Sequence, residues 1–298
     1  MNAVEIKGLV KTYSSGVKAL TGIDLSIQEG DFFALLGPNG AGKSTTIGVL
    51  TQLVTKTSGT VKILGHDIDT ESVVAKSKLG IVPQEFNFNI FEKVIDIVVQ
   101  QAGYYSVARV DALKRAEVVL KELDLWEKRD SVSRTLSGGM KRRLMIARAL
   151  IHEPEVLILD EPTAGVDIEL RRGMWDFLSG LNKKGVTILL TTHYLEEAEL
   201  LCNNIAIIDK GSILVNLPKE DLLSKLEEET YVLEVDKKVD VSKLTCDAKY
   251  GKGKVEVRFK QGYSINELMK EIDKQKVVVK SIAPKNNRLE EVFVRLIK

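Results

Sequence analysis

Apolar and polar residues alternate near the start of the chain. Val4-Glu5-Ile6 and Ile23-Asp24-Leu25-Ser26-Ile27 have the period of half-buried antiparallel strands. The pattern then changes. Phe32-Phe33-Ala34-Leu35-Leu36 is continuously apolar and reads as a strand buried on both faces. It runs into a glycine-rich turn and then a helical stretch from Ser44 to about Leu53. Further short apolar runs predict strands over residues 60–64, 79–82, 156–159, 187–190 and 205–208. Residues 94–151 carry a helical pattern with no strand-like run. The pattern up to about Pro218 therefore predicts an α/β fold with a parallel core sheet, an antiparallel β edge and a helical subdomain.

The character of the chain changes near Asn216-Leu217-Pro218. Beyond it the pattern predicts a charged helix over 219–229, strands over 231–235 and 255–259, and a turn at Gly251-Lys252-Gly253. A helix over 265–274, a strand over 277–282 and a last helix over 288–297 follow. The expected division is a main domain of residues 1–220 and a small α+β domain of residues 221–298.

Composition narrows the class. With 43 Lys and Arg against 42 Asp and Glu, the net charge of +1 offers no broad basic surface, and no nucleic-acid partner is expected. Cys202 and Cys246 are far apart and outside any metal-ligand spacing, which fits reduced thiols. Met1-Asn2-Ala3-Val4-Glu5-Ile6-Lys7 lacks the apolar core of a secretory leader. No apolar run nears the about 20 residues of a spanning helix. A role at a membrane would need a separate membrane chain, with this one cytoplasmic and peripheral on the membrane's inner face.

Chemistry enters at Gly37-Pro38-Asn39-Gly40-Ala41-Gly42-Lys43-Ser44, a G-x-x-x-x-G-K-[ST] loop between a buried strand and a helix. Three glycines let backbone N–H groups face inward, and the following helix aims its positive end at the same point. Lys43 suits β- and γ-phosphates, the Ser44 hydroxyl suits Mg²⁺, and Thr45 can add a phosphate contact. Val156-Leu157-Ile158-Leu159-Asp160-Glu161 is a buried strand ending in two acids. Asp160 is placed for Mg²⁺, and Glu161, one residue on, for the attacking water. These two motifs define a P-loop NTPase core and no more. The Asn-Lys-x-Asp pattern of guanine specificity is absent.

Leu136-Ser137-Gly138-Gly139-Met140 precedes an amphipathic helix with Met140, Leu144, Ala147 and Ile151 on one stripe. Lys141, Arg142 and Arg143 give its first turns a basic exposed face, and Ser137 is an N-cap candidate. This segment resembles the LSGGQ signature of ATP-binding-cassette (ABC) nucleotide-binding subunits, with Met140 where that family most often has Gln. Other elements of the family occur in order over about residues 2–220. Tyr13 resembles its adenine-stacking aromatic, and Gln84 in Val82-Pro83-Gln84 its Q-loop glutamine. Asp167 in Ala164-Gly165-Val166-Asp167 resembles its D-loop aspartate, and His193 its switch histidine. Ser-Gly-Gly-Met-Lys-Arg-Arg and the Pro162–Asp167 segment are similar to ABC-2-type exporters, the nearest resemblance being to YadG-type ATPases.

The resemblance implies ATP and Mg²⁺ as ligands, with Gln84 joining Ser44 and Asp160 at the metal. It implies catalysis by Glu161, His193 and Gln84. It also implies a head-to-tail pair in which Ser137, Gly138 and Gly139 of one copy meet the γ-phosphate held by Lys43 of the other. The further partner implied is an ABC-2-type transmembrane permease. The aromatic segment Phe86, Phe88 and Phe91 follows Gln84 and is the expected docking region.

Overall fold

The computed structural model describes residues 1–224, 228–260, 264–285 and 287–297. By its contacts the chain forms two compact units, Met1–Leu217 and Pro218–Lys298.

Unit one opens with a hairpin, β1 (Asn2–Thr12) and β2 (Lys18–Gln28). Then come β3 (Phe32–Leu36), α1 (Lys43–Leu50), β4 (Ser58–Ile63), β5 (His66–Asp67), α2 (Ser72–Ser77) and β6 (Leu79–Val82). Three helices follow, α3 (Val94–Tyr104), α4 (Arg109–Glu122) and α5 (Gly138–Leu150). The unit continues with β7 (Val156–Asp160), α6 (Ile168–Lys183), β8 (Thr187–Thr191), α7 (Leu195–Leu201), β9 (Asn204–Asp209) and β10 (Ser212–Pro218).

The α/β fold carries the expected antiparallel strands beside its parallel core sheet. They form a second sheet of their own, ordered β2-β1-β4-β5. The core sheet has the order β10-β9-β3-β8-β7-β6, and β9, β3, β8, β7 and β6 run parallel. One apolar core joins both sheets, from Val4, Ile6 and Ile23 on one to Phe33, Leu35 and Ile158 on the other. Helix α1 belongs to it through Ile47, Val49 and Leu50 and is buried nearly all round, which no amphipathic pattern could have announced.

Helix α1 stops at Leu50, short of Leu53, because the chain turns at Gln52 with φ of 58° and leaves Leu53 exposed. Between Lys93 and Val132, which pair in a lone bridge, the described residues are helical, turn or irregular with no strand.

Parallel pairing decides the geometry of function. Val82 is opposite Leu159, Asp160 opposite Thr191, and Leu35 opposite Thr191. The segments after β3, β6, β7 and β8 therefore emerge side by side at one edge, the carboxyl ends of a parallel sheet.

Unit two contains α8 (Lys219–Ser224), β11 (Glu228–Val235), β12 (Asp247–Gly251), β13 (Lys254–Lys260), α9 (Ile265–Lys274), β14 (Val279–Pro284) and α10 (Arg288–Ile297). Its sheet, ordered β12-β13-β11-β14, is antiparallel throughout and packs Leu233, Val255 and Val257 with Leu268 and Ile272. The helix expected over 219–229 ends at Ser224, residues 225–227 lie outside the described residues, and Glu228 and Glu229 already pair in β11. Ser264 and Glu267 build a capping box for α9. The strand expected over 277–282 runs from Val279 to Pro284, set by its pairing with β11. No helix among the described residues is long and apolar enough to cross a membrane.

Candidate functional site

The loop after β3 needs its glycines for two reasons. Gly40 and Gly42 have φ of 79° and 117°, where side chains are strained. A Cβ on Gly42 would lie 2.8 Å from Leu20 Cδ2, and one on Gly37 only 2.2 Å from the Ile208 carbonyl oxygen. No side chain caps α1, so its first amides and its positive end remain for an anion. Pro38 is half-buried and Ala41 buried, while Asn39 and Gly40 face solvent. Lys43 is buried, and its ammonium donates to the carbonyls of Gly37 at 2.7 Å and Pro38 at 3.1 Å. Burial lowers its pKa, and the nearby Glu161 and Asp160 charges oppose that shift. Ser44 is exposed. The Thr45 hydroxyl lies 3.3 Å from that of Tyr13, whose ring has the Lys11 ammonium 4.8 Å from its centre. The aromatic residue of Lys11-Thr12-Tyr13 thus sits beside the phosphate loop.

At the neighbouring strand ends, Asp160 accepts from Thr191 Oγ1 at 2.5 Å. Glu161 adopts a left-handed φ of 48°, a conformation costing on the order of 1–3 kcal/mol in a non-glycine residue. Its Oε2 accepts from Gln84 Nε2 at 3.2 Å and lies 3.1 Å from His193 Nδ1. Gln84, Glu161 and His193, separate in sequence, meet on one carboxylate oxygen. The Glu161 side chain is 15% exposed and that of His193 49%, so the carboxylate is the fixed member and the imidazole the freer one.

Arg142 corrects the sequence reading. It is 4% exposed rather than part of an exposed basic face, and it donates to the carbonyls of Pro83 at 2.9 Å and Gln84 at 2.8 Å. Its guanidinium carbon lies 5.2 Å from the centre of the Phe86 ring. Helix α5 thereby holds the segment that carries Gln84. No local pattern betrayed this, because a basic helix turn is usually solvated.

The signature segment lies elsewhere in the unit. Ser137 caps α5 by accepting from the Met140 amide at 3.3 Å. Gly139 packs against Leu170, whose side chain would have to move to admit a Cβ, since that atom would lie 1.6 Å from Leu170 Cδ2. Gly138 has nothing within 4 Å of that position and faces open space. Asp167 caps α6 by accepting from the Leu170 amide at 2.9 Å. Asp167 and Ser137 line one cleft of about 440 Å³. Among the described residues no hydrogen bond or ion pair joins Ser137, Gly138 or Gly139 to Lys43 or Glu161.

Phe86 and Phe88 lie side by side, their ring centres 6.1 Å apart. Phe88 lines a cleft of about 480 Å³ with Ile97, Tyr104, Tyr105 and Arg148. Phe86 lies against Arg142, and Phe91 is 67% exposed with Arg134 5.7 Å from its ring centre.

A glycine cradle, an uncapped helix start and a buried ammonium held by loop carbonyls suit a polyphosphate. Ser44, Asp160 and Gln84, the residues expected at Mg²⁺, each carry an oxygen of the hard kind that this ion takes. This arrangement on a parallel sheet defines a P-loop ATPase. The family model described as ABC transporter matches residues 20–164. The chain is 40% identical over 230 residues to the linearmycin resistance ATP-binding protein LnrL of Bacillus subtilis, covering 77% of this chain and 73% of that one. It is 37% identical over 224 residues to the daunorubicin/doxorubicin resistance ATP-binding protein DrrA of Streptomyces peucetius, covering 75% and 68%. Among solved structures, an ATP-binding cassette captured as a dimer after hydrolysis, with ADP and Pi, aligns with a TM-score of 0.66 at 29% identity, covering 72% and 98%. The chain belongs to the ATP-binding proteins of ABC transporters. It is a Mg²⁺-dependent ATPase of that family, whose cassettes act in pairs with a transmembrane permease.

Proposed function

We propose that this subunit energises export through a separate ABC-2-type permease, from the cytoplasmic face of the membrane. The observation that carries the catalytic part is the meeting of Gln84, Glu161 and His193 on one oxygen beside the loop that holds Lys43. Export is supported by the names of its relatives, two drug-resistance proteins and a Nod factor export ATP-binding protein of Cupriavidus metallidurans at 41% identity.

In this reading Tyr13 stacks on adenine. The amides of residues 37–43 and the Lys43 ammonium bind the β- and γ-phosphates, with Thr45 adding a contact. Ser44, Asp160 and Gln84 hold Mg²⁺, which when bound neutralises charge on the phosphate oxygens. Glu161 takes a proton from the attacking water, and His193 turns from Glu161 toward the γ-phosphate. Ser137, Gly138 and Gly139 of the second copy close the site, with Asp167 beside them. The open space at Gly138 suits such an approach, because backbone amides there can come close to a phosphate. The ATPase is assigned to residues 1–220 and an accessory role to residues 221–298. Phe86, Phe88 and Phe91 mark the permease side, with Phe88 in the cleft and Phe91 exposed beside it in sequence.

The test is recovery of the Glu161→Gln chain from detergent-solubilised native membranes with ATP and Mg²⁺. Co-recovery of a polytopic membrane protein with a dimer of this chain is expected. A soluble dimer alone, or one carrying nucleic acid, overturns the transport assignment. Joint replacement of Phe88 and Phe91 by Ser should abolish transport and leave the soluble ATPase intact; undiminished transport would remove the docking assignment.

A further inference from the structure

Glu197 lies on α7, four residues beyond His193, and is 1% exposed. Among the described residues no ion pair to it is present. Its Oε1 accepts from Thr163 Oγ1 and, at 3.1 Å, from Trp175 Nε1. Its Oε2 accepts from Thr192 Oγ1 at 2.6 Å. A buried carboxylate is costly to place in a core, and three donors converge to keep it there.

The donors sit at informative places. Thr163 is two residues beyond Glu161, and Thr192 immediately precedes His193. The Thr192 hydroxyl, having donated to Glu197, accepts from the Tyr194 amide at 3.0 Å. The backbone is therefore tied on both sides of His193. Trp175 extends the same anchor into α6, the helix that Asp167 caps. One carboxylate fixes both segments that bring Glu161 Oε2 and His193 Nδ1 to 3.1 Å.

We infer that Glu197 is a positioning residue for ATP hydrolysis, setting the register of the Glu161 and His193 segments against each other without touching the nucleotide. The inference rests on the roles proposed above for Glu161 and His193. Glu197→Gln keeps the volume but replaces one acceptor oxygen by an NH₂ group, so one donor is opposed by another donor. A displacement of about 1 Å at a reacting group can cost on the order of 100-fold.

The experiment is a double-mutant cycle with purified full-length chain, comparing Glu197→Gln, His193→Ala and the double variant. The readouts are kcat, KM for ATP, binding of a fluorescent ATP analogue, and Tm. Glu197→Gln is expected to lower kcat by roughly 10- to 100-fold, with nucleotide affinity held and Tm lowered by the mispaired buried donor. In the His193→Ala background it should cost less than about 2-fold more, since residues acting as a unit are not additive. Thr192→Val, which leaves the carboxylate in place, should give a smaller loss of the same kind and covers the case in which Glu197→Gln does not fold. Independent multiplication of the two losses would overturn the inference, as would full turnover by folded Glu197→Gln or a parallel loss of ATP binding. Full turnover by His193→Ala would instead overturn the site reading on which the inference rests.

Discussion

The two regions of unit one proposed to meet phosphate are built in opposite ways. The region at the ends of β3, β6, β7 and β8 is closed on itself. Lys43 is held by loop carbonyls, Gln84 and His193 meet on Glu161, and Asp160 is held by Thr191. The region at the start of α5 is open. Ser137 caps the helix, and Gly138 faces empty space. A closed region can bind and orient a polyphosphate by itself, whereas an open helix start needs a ligand brought to it. The difference fits a composite site in which each copy supplies one half.

The comparison is broken most severely at Glu161. Glu161→Gln keeps the shape and removes the base, so kcat should fall about 10²–10⁴-fold with ATP still bound; steady-state turnover alongside an ATP-binding assay checks this. A mixing experiment probes the composite site. Lys43→Ala and Ser137→Arg chains should each be nearly inactive. Their equimolar mixture should recover up to about a quarter of normal activity, because half of random pairs carry one undamaged site of two. No recovery would mean that the signature does not serve a partner's nucleotide.

The glycines separate the two regions by stability. Gly42→Ala should lower unfolding free energy by about 1–3 kcal/mol through backbone strain alone, with the Leu20 contact adding to it. Gly138→Ala should stay within about 0.5 kcal/mol while still depressing turnover. Urea midpoints and ATPase rates measure both.

The smallest expected effect lies just beyond the far end of α5. His152 stacks on Tyr105 at 3.6 Å and donates from Nε2 to the Leu79 carbonyl at 2.9 Å, while its buried Nδ1 has no partner. Burial lowers its pKa from the ordinary 6.5. The unfolded chain then binds a proton at higher pH than the folded one. The stability contributed by neutral His152 is present above 6.5 and is lost as pH falls through that value toward the folded pKa. Urea midpoints at neutral and mildly acidic pH should differ less in His152→Gln than in the parent.

Much was legible in the sequence because its signals are local. A continuous apolar run names a buried strand, and glycines around a lysine name a phosphate loop. Tyr13, Gln84, Asp167 and His193 were legible only as members of an ordered set. The second glycine of the signature could not be told from the first, because Leu170, which separates their roles, is 31 residues beyond Gly139 in the chain. Glu197 gave no signal, since an acid in a Glu-rich helix start reads as solvated.

The amino-acid sequence by itself determined the core strands β3 and β6 to β9, the phosphate loop, the acid pair and the family, but not β5, β10 or β12, since each of the former rests on residues adjacent in the chain or on their order. Tertiary structure alone decided that Gln84, Glu161 and His193 share one oxygen, that Arg142 is buried under the Gln84 segment and that Glu197 ties two strand ends together. Parallel pairing is the physical reason. It sets strand ends dozens of residues apart side by side, and side-chain donors and acceptors there find partners that no local spacing encodes.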